Sequence, residues 1–476
     1  MNIFNILKES ANKWGNEPAA IHHDKELTYS ELLISSNQLK GFLERNNIGK
    51  GLAVAIIFPN SIDFIISLMG TVGCGALVMP IYDQQKDAEI KKSLLEGEIH
   101  YFLSESKDML AFAELSDEIT INNKTYYLYK TERACSKKTA SFIDNPAFMR
   151  FTSGTTGKAK GVILSHQAVF DRVKAANRGL SLAENDTVLW VLPMAFHFVA
   201  SLVLYLKYGA TIVIHDSFIA KDIIDTIKKH KITFLYGSPL HIKLLASYNV
   251  EEQIDTLKTV VSTTTAIGND VCNDFYAKYK IPVTQAYGII EIGLPIINTG
   301  KPKENPDAVG YPLPDFEVAI LDENFKQVEF GDNGLLGIKG VGIFDGYLSP
   351  PTKKEDVLNH SWFLTGDIAT QNAEGLITIK GRKKNVINVS GNKVFPYEIE
   401  EVINKYAGIL VCKAYSKKHM LLGEIVALDV VQTAESNLKV EEIIKFSRQY
   451  LSNFKVPQVV NFVDSIEMTN TGKIKR

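Results

Sequence analysis

The 476-residue sequence contains little cysteine, with single residues at Cys74, Cys135, Cys272 and Cys412. None of them forms a CxxC pair or has metal-ligand spacing, which excludes a disulfide-stapled domain and a cysteine-based metal site. The N-terminus is polar and lacks the charged-then-apolar layout of a signal peptide. These features predict a cytoplasmic protein in a reducing compartment.

The net charge of the chain is also small. The chain has 52 Lys and Arg against 54 Asp and Glu, a formal charge of -2, so we expect no nucleic-acid partner. The charge is uneven, however: from Gly381 onward there are 15 Lys and Arg against 10 Asp and Glu, a net of +5. A basic C-terminal part on an acidic body favours an anionic partner.

Long apolar runs are missing as well. The most apolar stretch, 52–81, is interrupted by Pro59, Asn60 and Asp63 before it reaches the length of a membrane span. A strand, a helix capped by Asn60 or Ser61, and a second strand fit it better. We therefore expect no membrane span.

What the sequence does contain is an alternation of short β-branched runs with helical stretches, which predicts a large doubly wound α/β body. After Ala308 the texture changes to short strands and turns, which predicts a β-rich subdomain. A compact α+β tail follows. We assign 1–380 to an N-terminal domain and 381–476 to a small, mobile C-terminal domain, because 476 residues exceed one hydrophobic core.

The strongest motif is a run of Ser, Thr, Gly and Lys at 152–161. Glycines let backbone N–H groups approach phosphate oxygens, while hydroxyls and lysines add donors and charge. The spacing is not that of a Walker A loop, and a plain surface turn is the alternative. The predicted phosphate-binding residues are Thr152, Ser153, Gly154, Thr155, Thr156, Gly157, Lys158 and Lys160.

This loop resembles that of the adenylate-forming superfamily, which includes acyl-CoA synthetases, luciferases and peptide-synthetase adenylation domains. Four further segments resemble family motifs in the same order along the chain. They are QAYGIIE (285–291), WFLTGDIA (362–369), GRKKNVINVSGNKVFPYEIE (381–400) and TNTGKIKR (469–476).

The resemblance implies a role for each matched residue. Tyr287 and Gly288 would lie against adenine, Glu291 would hold Mg2+, and Asp367 would bind the ribose hydroxyls. Arg382 would reach the ribose or phosphate.

In the C-terminal part, Lys384 would be the hinge between the two domains and Gly391 would lie on the face that admits the thiol. Lys473 would be the catalytic lysine that bridges the acid carboxylate and the α-phosphate.

The acid pocket is predicted around His197, Phe198, Thr264 and Thr265, with His197 also a candidate catalytic residue. His197 stands where amino-acid-activating relatives have an aspartate, so amino acids are disfavoured. The threonines replace glycine-rich positions and favour a small or kinked acid. Ile290 replaces a threonine whose hydroxyl contacts the phosphate or carboxylate in relatives.

We therefore expect an ATP- and Mg2+-dependent ligase that activates a carboxylic acid to acyl-AMP and transfers the acyl group to a thiol. CoA is the favoured acceptor, with the phosphopantetheinyl arm of a separate acyl carrier protein as the alternative. A nucleotide-binding homologue with weakened catalysis and, by kinship alone, a luciferase-like oxygenase remain further alternatives.

Overall fold

The computed structural model describes residues 2–107, 113–134, 138–152, 160–249, 253–390, 392–419, 423–468 and 474–476, with the backbone alone at positions 152 and 200. The helices are α1 (Phe4–Trp14), α2 (Tyr29–Arg45), α3 (Ile62–Gly73), α4 (Asp87–Glu96), α5 (His166–Leu180), α6 (Val203–Tyr208), α7 (Ala220–Lys229), α8 (Pro239–Ser247), α9 (Asn269–Tyr279), α10 (Lys354–Val357), α11 (Pro396–Ile403) and α12 (Val440–Tyr450). A π-helical turn covers Phe198–Leu202, and 3-10 turns cover Lys383–Asn385 and Asn453–Lys455.

The strands of the N-terminal part are β1 (Pro18–His22), β2 (Lys25–Thr28), β3 (Ala53–Ile57), β4 (Leu77–Ile81), β5 (Tyr101–Ser104), β6 (Glu114–Ile121), β7 (Lys124–Lys130), β8 (Pro146–Thr152), β9 (Lys160–Ser165), β10 (Thr187–Trp190), β11 (Thr211–Ile214), β12 (Phe234–Gly237), β13 (Thr259–Ser262), β14 (Val283–Ile289) and β15 (Gly293–Ile297). The later strands are β16 (Tyr311–Pro312), β17 (Phe316–Leu321), β18 (Gly334–Gly340), β19 (Gly346–Tyr347), β20 (Thr352–Lys353), β21 (Phe363–Gln371), β22 (Ile377–Arg382), β23 (Ile387–Val389), β24 (Asn392–Val394), β25 (Ile409–His419), β26 (Gly423–Gln432) and β27 (Val459–Phe462).

Two helix starts follow directly from the sequence. Thr28 caps α2 with the reciprocal capping box: its backbone N–H donates to the Glu31 carboxylate at 2.8 Å, and its hydroxyl accepts from the Glu31 N–H at 3.3 Å. Ser61 caps α3 by accepting from the Phe64 N–H at 3.1 Å. The predicted strand–helix–strand unit of the apolar stretch is confirmed as β3, α3 and β4.

In the described part of the chain, two large sheets of nine strands each form the N-terminal body. The first has the order β16-β15-β14-β13-β12-β10-β11-β1-β2 and the second β20-β19-β9-β8-β4-β3-β5-β7-β6. Each has a parallel centre with antiparallel strands at its edges. Helix α5 packs against strands of both sheets, so one core joins them. This is the predicted α/β body.

The β-rich subdomain is an antiparallel sheet with the order β17-β18-β21-β22. The C-terminal α+β part has the sheet β24-β23-β26-β25, with β27 beside β26, and its own apolar core. The predicted domain boundary after residue 380 falls inside β22, where Gly381 and Arg382 still pair with β21.

Among the described residues, the N-terminal body and the C-terminal part contact each other through a helix–strand contact and an ion pair. Helix α11 lies against β22, and Lys405 Nζ lies 3.7 Å from Asp270 Oδ2 on α9. Among the described residues, no helix combines the length and apolar character needed to cross a membrane.

Candidate active site

The predicted site segments follow the carboxyl ends of neighbouring strands. The segment 196–198 comes after β10, residues 263–265 come after β13, and Glu291 follows β14, and these strands belong to the first large sheet. Ligands of doubly wound sheets bind at this edge, because loops there leave the sheet in diverging directions. The fold therefore brings the predicted acid and nucleotide segments to one edge.

Tyr287, Asp367 and Arg382 form one side-chain cluster. The Tyr287 hydroxyl donates to Asp367 Oδ2, and Arg382 Nε lies 2.9 Å from Asp367 Oδ1. Arg382 stands opposite Asp367 in the register of β21 and β22, and its Nη1 also donates to the Thr365 carbonyl at 3.0 Å. Cross-strand pairing thus explains why residues 15 apart in sequence meet, and the β14 tyrosine completes the group.

Burial decides the charge state of this cluster. Asp367 is 4% exposed, and a buried carboxylate of this kind requires a cation and hydrogen-bond donors. Arg382 and Tyr287 supply both. Burial and the neighbouring Asp367 raise the pKa of Tyr287 well above its ordinary value, so the phenol stays protonated and donates. Gly288 is required here, since a Cβ at that position would lie 2.6 Å from the Gly293 carbonyl oxygen.

Glu291 is half-buried at the end of the β14–β15 connection. The Tyr347 hydroxyl donates to its Oε1 at 3.3 Å, and the Phe344 N–H donates to its carbonyl at 2.7 Å. Burial raises the pKa of Glu291 above its ordinary value, partly offset by the Tyr347 hydrogen bond and by Arg172. Across the described residues, Tyr347 is the side-chain partner recorded for this carboxylate, which leaves oxygen lone pairs for a hard cation.

Lys160 connects the predicted phosphate loop to this carboxylate. It begins β9, pairs with Thr152 at the end of β8, and its Nζ lies 4.6 Å from the centre of the Tyr347 ring. The same Tyr347 binds Glu291. The two ends of the predicted loop are thus adjacent, and Lys160 shares a contact with the residue that binds Glu291.

Arg172 is a residue that the sequence motifs did not indicate. It lies on α5, is 2% exposed, and uses all three guanidinium nitrogens on backbone carbonyls: Nε on Gly342 at 2.5 Å, Nη1 on Ile290 at 2.7 Å and Nη2 on Glu291 at 2.7 Å. It thereby holds the connection that carries Glu291 against the core. A charged residue on the buried face of a helix was the available signal.

Arg150 is a second missed residue. It lies on β8, two residues before Thr152, and is half-buried. Its Nη1 donates to the Phe196 carbonyl, its guanidinium carbon lies 4.9 Å from the centre of the Phe196 ring, and its Nε is buried without a hydrogen-bond partner among the described residues. Strand alternation, which places it on the face of Thr152, was the available signal.

The predicted acid-pocket residues differ in position. His197 is half-buried and precedes the π-helical turn, and its carbonyl accepts a hydrogen bond from Ser201 Oγ. Phe198 is 1% exposed and contacts Phe148 edge to face at 4.9 Å between ring centres. Phe198 therefore belongs to the core below the pocket, while His197 and Phe196 retain accessible surface.

Thr264 has an unusual backbone. Its φ is +79°, a region that favours glycine, and its Oγ1 is buried without a hydrogen-bond partner among the described residues. Thr265 beside it is exposed. The chain thus keeps the left-handed turn that a glycine would make and places a β-branched side chain on it.

Several predicted residues lie outside the described residues: Ser153, Gly154, Thr155, Thr156, Gly157, Lys158, Gly391 and Lys473, as well as the Thr152 side chain. The residues that flank Lys473 are anchored on the C-terminal part. Met468 and Ile474 form a β-bridge, and Arg476 pairs with the buried Glu400 at 2.6 Å. Lys384 is exposed in the 3-10 turn after β22.

The structure is that of a two-part α/β protein in which a tyrosine–aspartate–arginine cluster around the buried Asp367 and a half-buried glutamate lie at the carboxyl edge of a sheet, the edge where doubly wound α/β folds bind their ligands. The family is shown by sequence: the profile described as AMP-binding enzyme matches residues 7–348, and that described as AMP-binding enzyme C-terminal domain matches 398–473. The chain belongs to this adenylate-forming family and is an AMP-forming acid–thiol ligase.

Known relatives span nearly the whole chain. A long-chain-fatty-acid–CoA ligase of Yersinia pestis is 27% identical over 529 residues, covering 100% of this chain and 93% of that protein. A long-chain-fatty-acid–CoA ligase of Bacillus subtilis is 26% identical over 520 residues, covering 99% of this chain and 92% of that protein.

Solved structures confirm the fold. ATP-bound MatB from Rhodopseudomonas palustris has a TM-score of 0.85 at 21% identity, covering 100% of this chain and 97% of that one. The o-succinylbenzoate CoA synthetase MenE from Bacillus subtilis, in complex with AMP, has a TM-score of 0.86 at 19% identity, covering 99% of this chain and 96% of that one.

Proposed function

We propose that the protein binds ATP and a carboxylic acid, forms acyl-AMP with release of pyrophosphate, and transfers the acyl group to the thiol of CoA. The observation that carries this proposal is the convergence of the Tyr287–Asp367–Arg382 cluster and Glu291 at the edge where the predicted acid pocket opens. The family membership and the CoA ligases among the relatives support it.

The nucleotide end of the reaction uses the buried cluster. Asp367 accepts hydrogen bonds from the ribose hydroxyls, and Arg382 keeps that carboxylate ionised and oriented. Tyr287 presents its ring to the adenine while its hydroxyl holds Asp367 in place. A carboxylate held from two sides loses little side-chain entropy when the ribose binds, so the site is pre-organised.

Glu291 fits the Mg2+ that the reaction requires. Its carboxylate is an oxygen ligand of the kind that Mg2+ prefers, it faces the predicted phosphate loop through Tyr347 and Lys160, and it has lone pairs left over. When bound, Mg2+ neutralises phosphate charge as pyrophosphate leaves. The chain's own contribution is to hold this carboxylate in place, through the Arg172 contacts to its backbone.

Lys473 is proposed to bridge the acid carboxylate and the α-phosphate. Two anions meet in this step, so a cation placed between them lowers the barrier. Removing one such pre-organised contact costs roughly 3 to 4 kcal/mol. Gly391 is proposed to lie on the face that replaces Lys473 when the thiol attacks, with Lys384 as the hinge.

The acid is proposed to be small or kinked and apolar. Phe196 and His197 offer accessible, largely apolar surface, and Thr264 projects a β-branched side chain where relatives have glycine. For the acceptor we propose CoA; a separate acyl carrier protein is the second candidate, because both are anionic and the C-terminal part carries a net charge of +5.

The test is acid-dependent exchange of labelled pyrophosphate into ATP, with a panel of straight-chain, branched and aromatic acids, followed by transfer assays with CoA and with phosphopantetheinylated carrier protein. We expect exchange with short or bulky acids and transfer to CoA. If no acid supports exchange, the proposed function is wrong. If only the carrier protein accepts the acyl group, the acceptor assignment is wrong.

A further inference from the structure

Arg150 and Arg172 both interact electrostatically with Glu291, and they differ in one respect. Arg172 has backbone carbonyls on all three guanidinium nitrogens, whereas Arg150 has one recorded hydrogen bond among the described residues, to Phe196. We propose that Arg150 binds the carboxylate of the acid before adenylation and orients it toward the α-phosphate. This inference rests on the proposed function and adds a binding residue to it.

The position of Arg150 links the two predicted halves of the site. Side chains alternate along β8, so Phe148 and Arg150 share one face. Phe148 contacts Phe198, and Arg150 contacts the carbonyl and ring of Phe196. Two residues after Arg150, β8 ends at the position where the predicted phosphate loop begins. Arg150 is thus close in the chain to the predicted phosphate loop and in contact with the predicted acid segment.

The electrostatics favour an anion at this place. Burial lowers the pKa of Arg150 to about 10, and the charge of Glu291 opposes that shift, so the guanidinium remains a cation at neutral pH. Its Nε is buried and unpartnered among the described residues, and an unpaired buried donor costs free energy. Nε is therefore left to donate to a carboxylate oxygen, and the planar guanidinium is well matched in shape to a carboxylate.

Ile290 provides a chemical reason for the arginine. The Ile290 side chain, directly before Glu291, offers no hydrogen-bond donor. Its backbone carbonyl is already bound to Arg172 at 2.7 Å. Arg150 supplies a charged donor to the reacting groups from β8, a strand of the second large sheet.

The proposal fixes where in the reaction Arg150 acts. A carboxylate oxygen attacks the α-phosphorus, a new O–P bond forms, and the bond from that phosphorus to the bridging oxygen breaks as pyrophosphate leaves with its electron pair. No proton is transferred. The carboxylate charge that Arg150 binds exists only before this step, because in the product, a mixed acyl–phosphate anhydride, the negative charge lies on the phosphate and the former carboxylate carries none. Arg150 should therefore affect acid binding and adenylation, and not thiol transfer.

The test compares Arg150→Gln and Arg150→Lys with the wild type in pyrophosphate exchange. Arg150→Gln should raise the KM for the acid roughly 10- to 100-fold, the value of one charge-assisted hydrogen bond, with the KM for ATP unchanged within about threefold. Arg150→Lys should recover part of the loss. The matched control is Arg178→Gln, which removes an exposed guanidinium paired with Asp315 at 2.7 Å and should leave both constants unchanged.

Two further measurements separate the carboxylate contact from a purely structural role. Transfer from supplied acyl-AMP to CoA should be retained by Arg150→Gln, and inhibition by the alcohol that lacks the carboxylate but keeps the same tail should be as strong as in the wild type. An equal loss in the transfer step, or weaker inhibition by the alcohol, would show that Arg150 shapes the pocket and would overturn the proposal.

The remaining outcomes are also decisive. An unchanged KM for the acid in Arg150→Gln, with an active wild type, refutes the role of Arg150 and leaves the proposed function intact. A loss confined to acids that carry a second anionic group would place Arg150 at the tail of the substrate and refute the contact with the reacting carboxylate. A wild type inactive with every acid refutes the proposed function itself, and this inference with it.

Discussion

At the scale of single residues, the site is defined by buried charges that hold one another in place. Asp367 is buried with Arg382 and Tyr287 as its partners. Glu291 is tolerated because Arg172, Arg382 and the Tyr347 hydroxyl lie nearby. Burying such charged groups costs free energy, and removing the partner of a buried charge destabilises the protein further. Removing one partner should therefore affect binding and stability together.

Asp367→Asn keeps the shape of the side chain and removes its charge. We expect the KM for ATP to rise roughly 10- to 100-fold with the KM for the acid unchanged, because a charged hydrogen bond to the ribose contributes about 1.5 to 3 kcal/mol. Tyr287→Phe, which removes one donor to the same carboxylate, should give a smaller effect in the same direction. Initial rates of pyrophosphate exchange measure both, and equal KM values for ATP in all three proteins would contradict the ribose assignment.

The raised pKa of Glu291 has a predictable pH dependence. The folded state holds this proton more tightly than the unfolded state, so the contribution to stability is complete below the ordinary pKa of 4.5 and is lost as pH rises through the raised value. The melting temperature of the wild type minus that of Glu291→Gln should therefore fall as pH rises above about 4.5. Addition of Mg2+ and ATP should restore the lost melting temperature in the wild type and not in Glu291→Gln.

A surface carboxylate provides the control for that measurement. Glu184 is half-exposed and pairs with Lys13 at 3.3 Å, so Glu184→Gln should show no comparable change with pH. A flat difference for Glu291→Gln over the same range would mean that the glutamate is more hydrated than its surroundings indicate, and would weaken its assignment as the Mg2+ ligand.

At the scale of elements, the turn after β13 places a β-branched residue, Thr264, in a backbone conformation that such residues rarely adopt. A β-branched residue at φ +79° is strained by roughly 1 to 3 kcal/mol, and such strain persists only where the surrounding structure or the function requires it. Thr264 follows a strand of the sheet that carries the acid segments. We interpret the strain as the cost of narrowing the pocket.

Thr264→Gly tests both parts of this interpretation. Glycine adopts this φ without strain, so we expect the melting temperature to stay equal or rise, although the larger freedom of glycine in the unfolded chain offsets part of the gain. The acid preference should shift toward longer acids, with each newly accommodated methylene contributing up to about 0.8 kcal/mol to binding. A graded acid series in pyrophosphate exchange measures the shift.

The neighbouring Thr265 supplies the control, because it is exposed. Thr265→Gly should leave the acid preference unchanged. If Thr264→Gly also leaves it unchanged while raising the melting temperature, the strain is real but the residue does not limit the pocket.

The elements that could be predicted from sequence are those with local signals. The capping box of Thr28 and Glu31, the apolar strands and the motif aspartate Asp367 each depend on neighbours in the chain or on a matched pattern. Arg150 and Arg172 could not be predicted in this way. Their roles depend on carbonyls of residues 46 and 118 positions away, which only the folded sheets bring near.

Phe198 shows the opposite difficulty. Its place beside His197 in the sequence suggested a pocket residue, and the structure places it 1% exposed against Phe148. An apolar residue at the edge of a pocket and one in the core have the same sequence signature, because they can stand close together in the chain, as Phe196 and Phe198 do on either side of His197. Burial separates them, and burial is a property of the whole fold.

At the scale of the whole molecule, the N-terminal body together with β22 holds the Tyr287–Asp367–Arg382 cluster, and Lys473, the predicted catalytic lysine, belongs to the C-terminal part of the sequence. That part has its own sheet and core, and it continues from β22 through the 3-10 turn that contains Lys384. The ion pair between Lys405 and Asp270 at 3.7 Å is half-exposed and contributes little to holding the parts together.

Lys384→Pro should separate the two half-reactions. Proline fixes φ near -65° and restricts the residue before it, so the turn loses the freedom that a rotation requires. Pyrophosphate exchange should be retained within about threefold, because adenylation uses one orientation, while transfer to CoA should fall at least tenfold.

Lys473→Ala should do the reverse: exchange should fall by about two to three decades, and transfer from supplied acyl-AMP should persist, because the lysine acts only in adenylation. The adjacent Lys383→Ala, in the same exposed turn, is the control and should change neither rate appreciably. Rapid-quench measurement of acyl-AMP and of acyl-CoA in one experiment gives both rates. If Lys384→Pro and Lys473→Ala lose the same half-reaction, a single orientation of the C-terminal part performs both steps and the hinge assignment is wrong.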